Sequence, residues 1–193
     1  MNGFRGSPKT VTAGFVRLSS DGAIERIVGF HYNPETLSRR LEATTVGAAS
    51  LPAGSPAEPR EVLSFRVVLD ASDDLQLASA IAVDAGVGPQ LAAIEQLMYA
   101  PTRFPDDAIL LVWGSHRVVP VQVVELQIHE RMFAPDLAPI SADVDVTVHV
   151  LKIADLAHRP NALRIWNKHL SEMDALAARA SQTQLADMGL AHL

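Results

Sequence analysis

The segment from Ile109 to Leu151 constrains the fold more than any other. Within it Val144, Val146, Val148 and Val150 alternate with Asp143, Asp145, Thr147 and His149. Side chains of a strand point to opposite faces with a period of two, so this pattern asks for one buried apolar face and one polar, acidic face. Upstream, Ile109 to Trp113 is continuously apolar, as expected of a strand covered on both sides. Between the two, Val118 to Glu130 reads as one long strand whose apolar parity changes. Val119, Val121 and Val123 share one face, while Val124, Leu126 and Ile128 share the other. Such a change calls for a bulge, or for a strand that passes from one sheet to another. Trp113-Gly114 and the connector from Phe133 to Pro139 supply the corners.

The remaining elements fit around this scaffold. Val11–Leu18 and Ile24–Tyr32 are strands of a hairpin turned at Asp21-Gly22. Asn33-Pro34 interrupts any helix. Glu35–Thr45 fits a helical face through Leu37 and Leu41 or a strand with a snorkelling Arg39; extended chain is favoured. Val46–Pro59 carries three prolines and reads as a long loop. Glu61–Asp70 is a strand with Leu63, Phe65, Val67 and Leu69 on one face. Leu75–Val83 is partly helical. From Pro89, the stripe Leu91, Ile94, Leu97 and Met98 predicts one amphipathic helix, closed by Pro101. After Asp155 the pattern turns helical again, with Leu163, Trp166, Leu170 and Met173 spaced by three and four like a coiled-coil seam. An exposed stripe of this kind on a separate tail fits a docking helix.

Composition excludes several function classes. The chain has 193 residues and no cysteine, which removes disulfides, thiolate metal sites and thiol nucleophiles. Its size suits one domain that buries roughly 70% of its unfolded surface without staples. A net charge of −6 disfavours nucleic-acid binding. No apolar run reaches the roughly 18 residues of a membrane helix, and the N-terminus lacks a signal-peptide core. A cytoplasmic location is expected.

A search for chemistry returns little. The seven histidines form no HExxH or related pattern, and surface or interface placement is expected of them. Asp70, Asp73 and Asp74 lack the spacing of a calcium loop; Asp73 or Asp74 instead suits the cap of the following helix. Gly86-Val-Gly-Pro89 lacks the Lys and Ser/Thr of a phosphate loop. Asp143 and Asp145 are spaced like paired glycosidase carboxylates, but a solvated acidic face accounts for them more simply. No catalytic residue, metal or cofactor is assigned.

A set of phrases recurs here in a recognisable order. They are Phe30-His-Tyr-Asn-Pro-Glu-Thr-Leu37, Glu61-Val-Leu-Ser-Phe-Arg-Val-Val-Leu-Asp70 and Pro89-Gln-Leu-Ala-Ala-Ile-Glu95. Leu110-Leu-Val-Trp-Gly114, Val123-Val-Glu-Leu-Gln-Ile-His-Glu130 and Met132 to Val144 follow. Together they resemble the tube-protein domain of contractile injection systems, the phage-tail-like particles of bacteria, and in particular the tube adaptor of the baseplate hub. The resemblance covers about residues 28–153. The LysM module that often follows this domain has no counterpart, so its role does not transfer.

The resemblance implies a mainly β (α+β) fold, a tail-tube or Hcp-like barrel of two packed antiparallel sheets with one inserted helix. The expected organisation is a flexible N-terminus (1–10), a barrel domain (11–154) and a C-terminal helical tail (155–193). It also implies a structural role in a hexameric ring that joins a VgrG-like spike to the inner tube, with baseplate or sheath components as neighbours and no nucleic acid or membrane. Leu51 and Pro52 in the long loop would reach a neighbouring subunit. Asp143 and Asp145 would then line a lumen, and Leu163, Trp166, Leu170 and Met173 would dock on a baseplate partner. On that view, removing residues 156–193 leaves the β-domain folded. Two other classes stay open at this point: a small β-barrel hydrolase or metal-dependent enzyme, and a monomeric ligand-binding barrel.

Overall fold

The computed structural model describes residues 12–43, 58–77 and 79–179. Seven strands form one antiparallel sheet: β1 (Gly14–Leu18), β2 (Ile24–Gly29), β3 (Leu37–Glu42), β4 (Arg60–Asp70), β5 (Ala108–Val112), β6 (Val118–Phe133) and β7 (Pro139–Val150). Three helices lie between β4 and β5, namely α1 (Ser72–Gln76), α2 (Ala80–Ala85) and α3 (Gly88–Arg103). A 3-10 turn at Ile153–Leu156 and helix α4 (Pro160–Ala177) follow β7.

The expected pair of packed sheets is corrected to a single ladder in the order β2-β1-β5-β6-β7-β4-β3. The reason lies in β6. It pairs with β5 over Val118–Val121 and with β7 from Val121 to Phe133, so it links both neighbours into one ladder; its register against β7 shifts between Val123 and Glu125, which makes Val124 the bulged residue. The bulge restores inward parity: Val121 and Val123 oppose Val150 and Val148, and Leu126 and Ile128 oppose Val146 and Val144.

The ladder is strongly coiled. β1 and β4 stand four strand spacings apart, about 19 Å in a flat sheet. Yet the ring centroids of Phe15 (β1) and Phe65 (β4) are 6.1 Å apart, and Phe30 lies 5.6 Å from both. The two wings therefore curl over a shared core. The barrel is not closed, because the first and last strands, β2 and β3, do not pair.

One inserted helix was expected and three are present. Asp73 and Asp74 sit in the first turn of α1 and do not cap it. Ala71 is the cap position and no side chain caps the helix; just ahead of it, Asp70 Oδ1 accepts from the Ser72 N–H at 2.7 Å. Pro101 lies inside α3, which runs on to Arg103; Leu91, Ile94, Leu97 and Ala100 are its buried face, while Met98 is exposed. Gly86 explains the spacing around Pro89. Its φ is +55°, and a Cβ there would lie 2.0 Å from the Pro139 carbonyl oxygen, so this backbone crossing requires glycine.

Both faces of β5 are covered, as its composition predicts. Ile109 and Leu111 join the main core, and Leu110, on the opposite face, is also buried. α4 packs against β6, and its first residues line a small cleft with Leu18 and Ala108, which share Leu110's side of the sheet. The Asn161 amide donates to the Ser20 carbonyl at 3.2 Å, and Arg159 donates to the Pro105 carbonyl at 2.7 Å. Residues 160–177 thus pack against the β-sheet.

Candidate interaction surfaces

The outer face of β7 is where the sequence places its acidic side chains. Asp145 stands opposite Arg66 in the ladder and accepts two bonds from it, at 2.7 and 2.9 Å. This fork-on-fork pair lowers the Asp145 pKa below the usual carboxylate range, chiefly through the Arg66 hydrogen bond. Asp143 is nearly buried and pairs with Arg131 of β6. The acidic face expected from β7 alone is therefore neutralised by arginines of the neighbouring strands. The sequence pattern of one strand cannot report that partner, because register decides it.

Further along the same face, the Arg60 guanidinium meets the His149 ring at 2.8 Å. Burial, and then the Arg60 charge, lower the His149 pKa. Towards the β2–β3 connection lies a groove of about 850 Å³ lined by Tyr32, Glu35, Ser64, Arg66, Asp145 and Thr147. Within it Arg66 and Asp145 are paired with each other.

The α4 stripe is spent within the chain. Trp166 is 7% exposed, Ala162 is buried beside it, and Leu163 and Leu170 pack against the core. Met173 and Leu176, at the helix end, remain exposed. His169 follows one turn after Trp166, with ring centroids 5.7 Å apart, and is 6% exposed, so the expectation of a surface histidine fails here. Burial lowers its pKa; Glu61 opposes that effect, and Arg117 and Arg39 add to it. Leu51 and Pro52 lie outside the described residues.

Two features that sequence reasoning missed are exposed. The first is the far end of the β6–β7 hairpin, where Met132, Phe133 and Leu137 stand in solvent. Met132 (φ 49°) and Leu137 (φ 69°) adopt the left-handed conformation. α1 and α2 flank this tip through the Ala71 N–H to Ile140 O bond (3.0 Å) and the Val87 N–H to Pro139 O bond (2.8 Å), and add exposed Leu77, Ile81 and Val83. The Phe133–Pro139 corner was legible in the sequence, but its exposure was not. The second is a pair of sheet edges: among the described residues, the outer sides of β2 and β3 have no neighbouring strand.

Among the described residues, no group of three or more acidic, histidine or cysteine side chains is arranged to hold a metal ion. Among the described residues, no helix is long and apolar enough to cross a membrane.

No protein-family model matches this chain, and no curated protein matches it. Among solved structures, a chain from the tail of an empty GTA particle, obtained by helical refinement with C6 symmetry, is similar at 13% identity and a TM-score of 0.31. The match covers 72% of this chain and 91% of that chain. A likeness this distant carries no argument.

Proposed function

We propose that the chain is a structural subunit of a phage-tail-like contractile injection particle, forming a ring of the inner tube or baseplate hub between spike and tube. The observation that carries this reading is the open coiled sheet. Its two unpaired edges, β2 and β3, belong to opposite ends of one ladder, and an exposed edge is a template for another chain. Two unlike surfaces on one subunit make head-to-tail contacts, and such contacts close into rings when the rotation per subunit allows it. The ordered sequence phrases support the same reading, since they map to the connection before β3, to β4, α3, β5, β6 and the hairpin tip.

On this reading the protein is not an enzyme. Six copies, a spike, a tube protein and baseplate neighbours are its partners. It is made in the cytoplasm and leaves only as part of the particle. The test is electron microscopy of particles from cells that encode the chain, with and without it. Loss of tubes, with spikes unattached, is the expected result. Full-length tubes joined to spikes in its absence would reject the reading.

One observation favours a second reading. A groove of about 850 Å³ falls within the ~300–1,000 Å³ range of small-molecule sites, which suits a monomeric ligand-binding barrel. Disruption of the Arg66–Asp145 pair by Arg66→Ala would then abolish ligand-induced thermal stabilisation, while particle assembly would be unaffected.

A further inference from the structure

The exposed hairpin tip is an unusual use of sequence. A branched or bulky side chain in the left-handed region costs roughly 1–2 kcal/mol, and glycine or asparagine is the normal solution. Here Met132 and Leu137 hold such positions, and Leu137 is 76% exposed. Neither residue gains core contacts that would offset the strain. With Phe133, Leu77, Ile81 and Val83 they make an apolar end that a solitary globular domain has no use for.

That end is also acidic. No Lys or Arg occurs between Arg66 and Arg103, or between Arg131 and Lys152. Asp73, Asp74 and Asp84 of α1–α2 and Asp136 of the tip take part in no ion pair among the described residues. Two such ends placed face to face would set carboxylates against carboxylates, so a two-fold contact is disfavoured. The complementary surface must be apolar and basic.

The chain carries such a surface at the other end of α3. A cleft of about 290 Å³ is lined by Arg17, Arg26 and Arg103, with Leu97 and Phe104 as its apolar wall. The Arg17 guanidinium lies 4.0 Å over the Phe104 ring and faces Asp107 at 3.5 Å, but its buried Nε has no hydrogen-bond partner. Among the described residues, Arg26 donates to the Gln96 side chain at 3.0 Å and neither Arg26 nor Arg103 makes an ion pair. Of the three guanidinium groups, Arg17 alone faces a carboxylate among the described residues. The cleft and the tip are separated by the length of α3, ~24 Å for its 16 residues. Both are on one chain, they are unlike, and they match in charge and polarity.

We propose that the β6–β7 tip of one copy docks in the Arg17–Arg26–Arg103 cleft of the next, with the Asp136 carboxylate on the guanidinium groups and the Leu137 side chain against Phe104. This is a head-to-tail contact between copies, and it rests on the ring-forming reading above while naming the surfaces. Because the contact is heterologous, every copy uses both ends, and the chain propagates until it closes or is capped.

The absence of cysteine allows a direct test. Leu137→Cys and Gln96→Cys, both at exposed positions, are purified separately, checked for wild-type melting and mixed under mild oxidation. The contact predicts a disulfide between the unlike variants well above either homodimer. Asp136→Arg in the Leu137→Cys chain should lower that yield at least tenfold, and Arg103→Glu in the partner should restore part of it. Equal yields of all three dimers, a dominant Leu137→Cys homodimer, or no cross-link at concentrations where the chain is folded would each overturn the contact. Whether particles lose their tubes without the chain is read separately, so failure of this contact and failure of the ring-forming reading give different results.

Discussion

The β6–β7 hairpin contains two regions built from the same two strands and used in opposite ways. In the near half, Val121 and Val123 face Val150 and Val148, Val119 faces Leu111 of β5, and all are buried. Past the bulge at Val124, Leu126 and Ile128 still pack against the core opposite buried Val146 and Val144. In the far half, from His129 of β6 onward, every β6 residue is exposed and the strands run on to a tip of exposed, strained apolar side chains. The near half has the signature of a core, with every apolar contact satisfied inside the chain. On the proposed contact between copies, the far half is a contact surface, retained at a cost to the isolated chain. Strand propensity and pattern are alike in both, so burial and backbone strain are what distinguish a scaffold from an interface here.

This contrast can be broken or sharpened by experiment. The largest effect is expected from truncation after Asp155. Because Ala162 and Trp166 are buried in the domain, the shortened chain should lose cooperative unfolding; a wild-type melting curve would mean that α4 is not part of the core. Next, Leu111→Ala in fully buried β5 should cost about 2–5 kcal/mol by denaturant titration, whereas Leu137→Ala at the tip should stay within about 0.5 kcal/mol. Equal costs would erase the distinction. Gly86→Ala, which forces a Cβ against the Pro139 oxygen, should cost about 1–3 kcal/mol and loosen the base of the tip. Hydrogen exchange at the Val87 amide reports that loosening.

A smaller effect belongs to pH. The His169 pKa is lowered in the folded state, first by burial. The neutral ring is therefore favoured by folding, and this stability is fully present above the ordinary value near 6.5. It is lost progressively as pH falls through 6.5 towards the folded value. Thermal melts between pH 7.5 and 5 should show an acid limb that His169→Gln flattens; an unchanged limb would assign the loss to other groups. The smallest effect is expected for Leu137→Asn. Asparagine tolerates the left-handed conformation, so stability should hold or rise by up to about 1 kcal/mol while cross-linking between copies falls. A clear loss of stability would mean that Leu137 serves the fold after all.

Much of the scaffold was legible because its signals are local. The alternation in β7, the continuous apolar run of β5 and the Asp21-Gly22 hairpin each appear where expected, and the parity change in β6 marks the bulge. What could not be read depends on partners distant in sequence. Asp145 looks like part of an acidic face until register sets Arg66 beside it. Trp166 looks like a docking anchor until α4 lies on β6. The choice between one coiled sheet and two packed sheets turns on how β6 shares its length between β5 and β7, which periodicity does not encode. The Arg17–Arg26–Arg103 cleft joins β1, β2 and the end of α3, and no spacing in the sequence announces it. The tip residues were visible as a corner, but their left-handed backbone was not.

The central claim is that the function of this chain lies in contacts between copies, made by surfaces the isolated fold leaves unsatisfied. Native mass spectrometry of the purified, folded protein across a concentration series tests it most directly. The expected result is a closed multi-copy species, six copies by the family resemblance, that Asp136→Arg weakens without lowering the melting temperature. A single-copy species at every concentration, unaltered by that substitution, would contradict it.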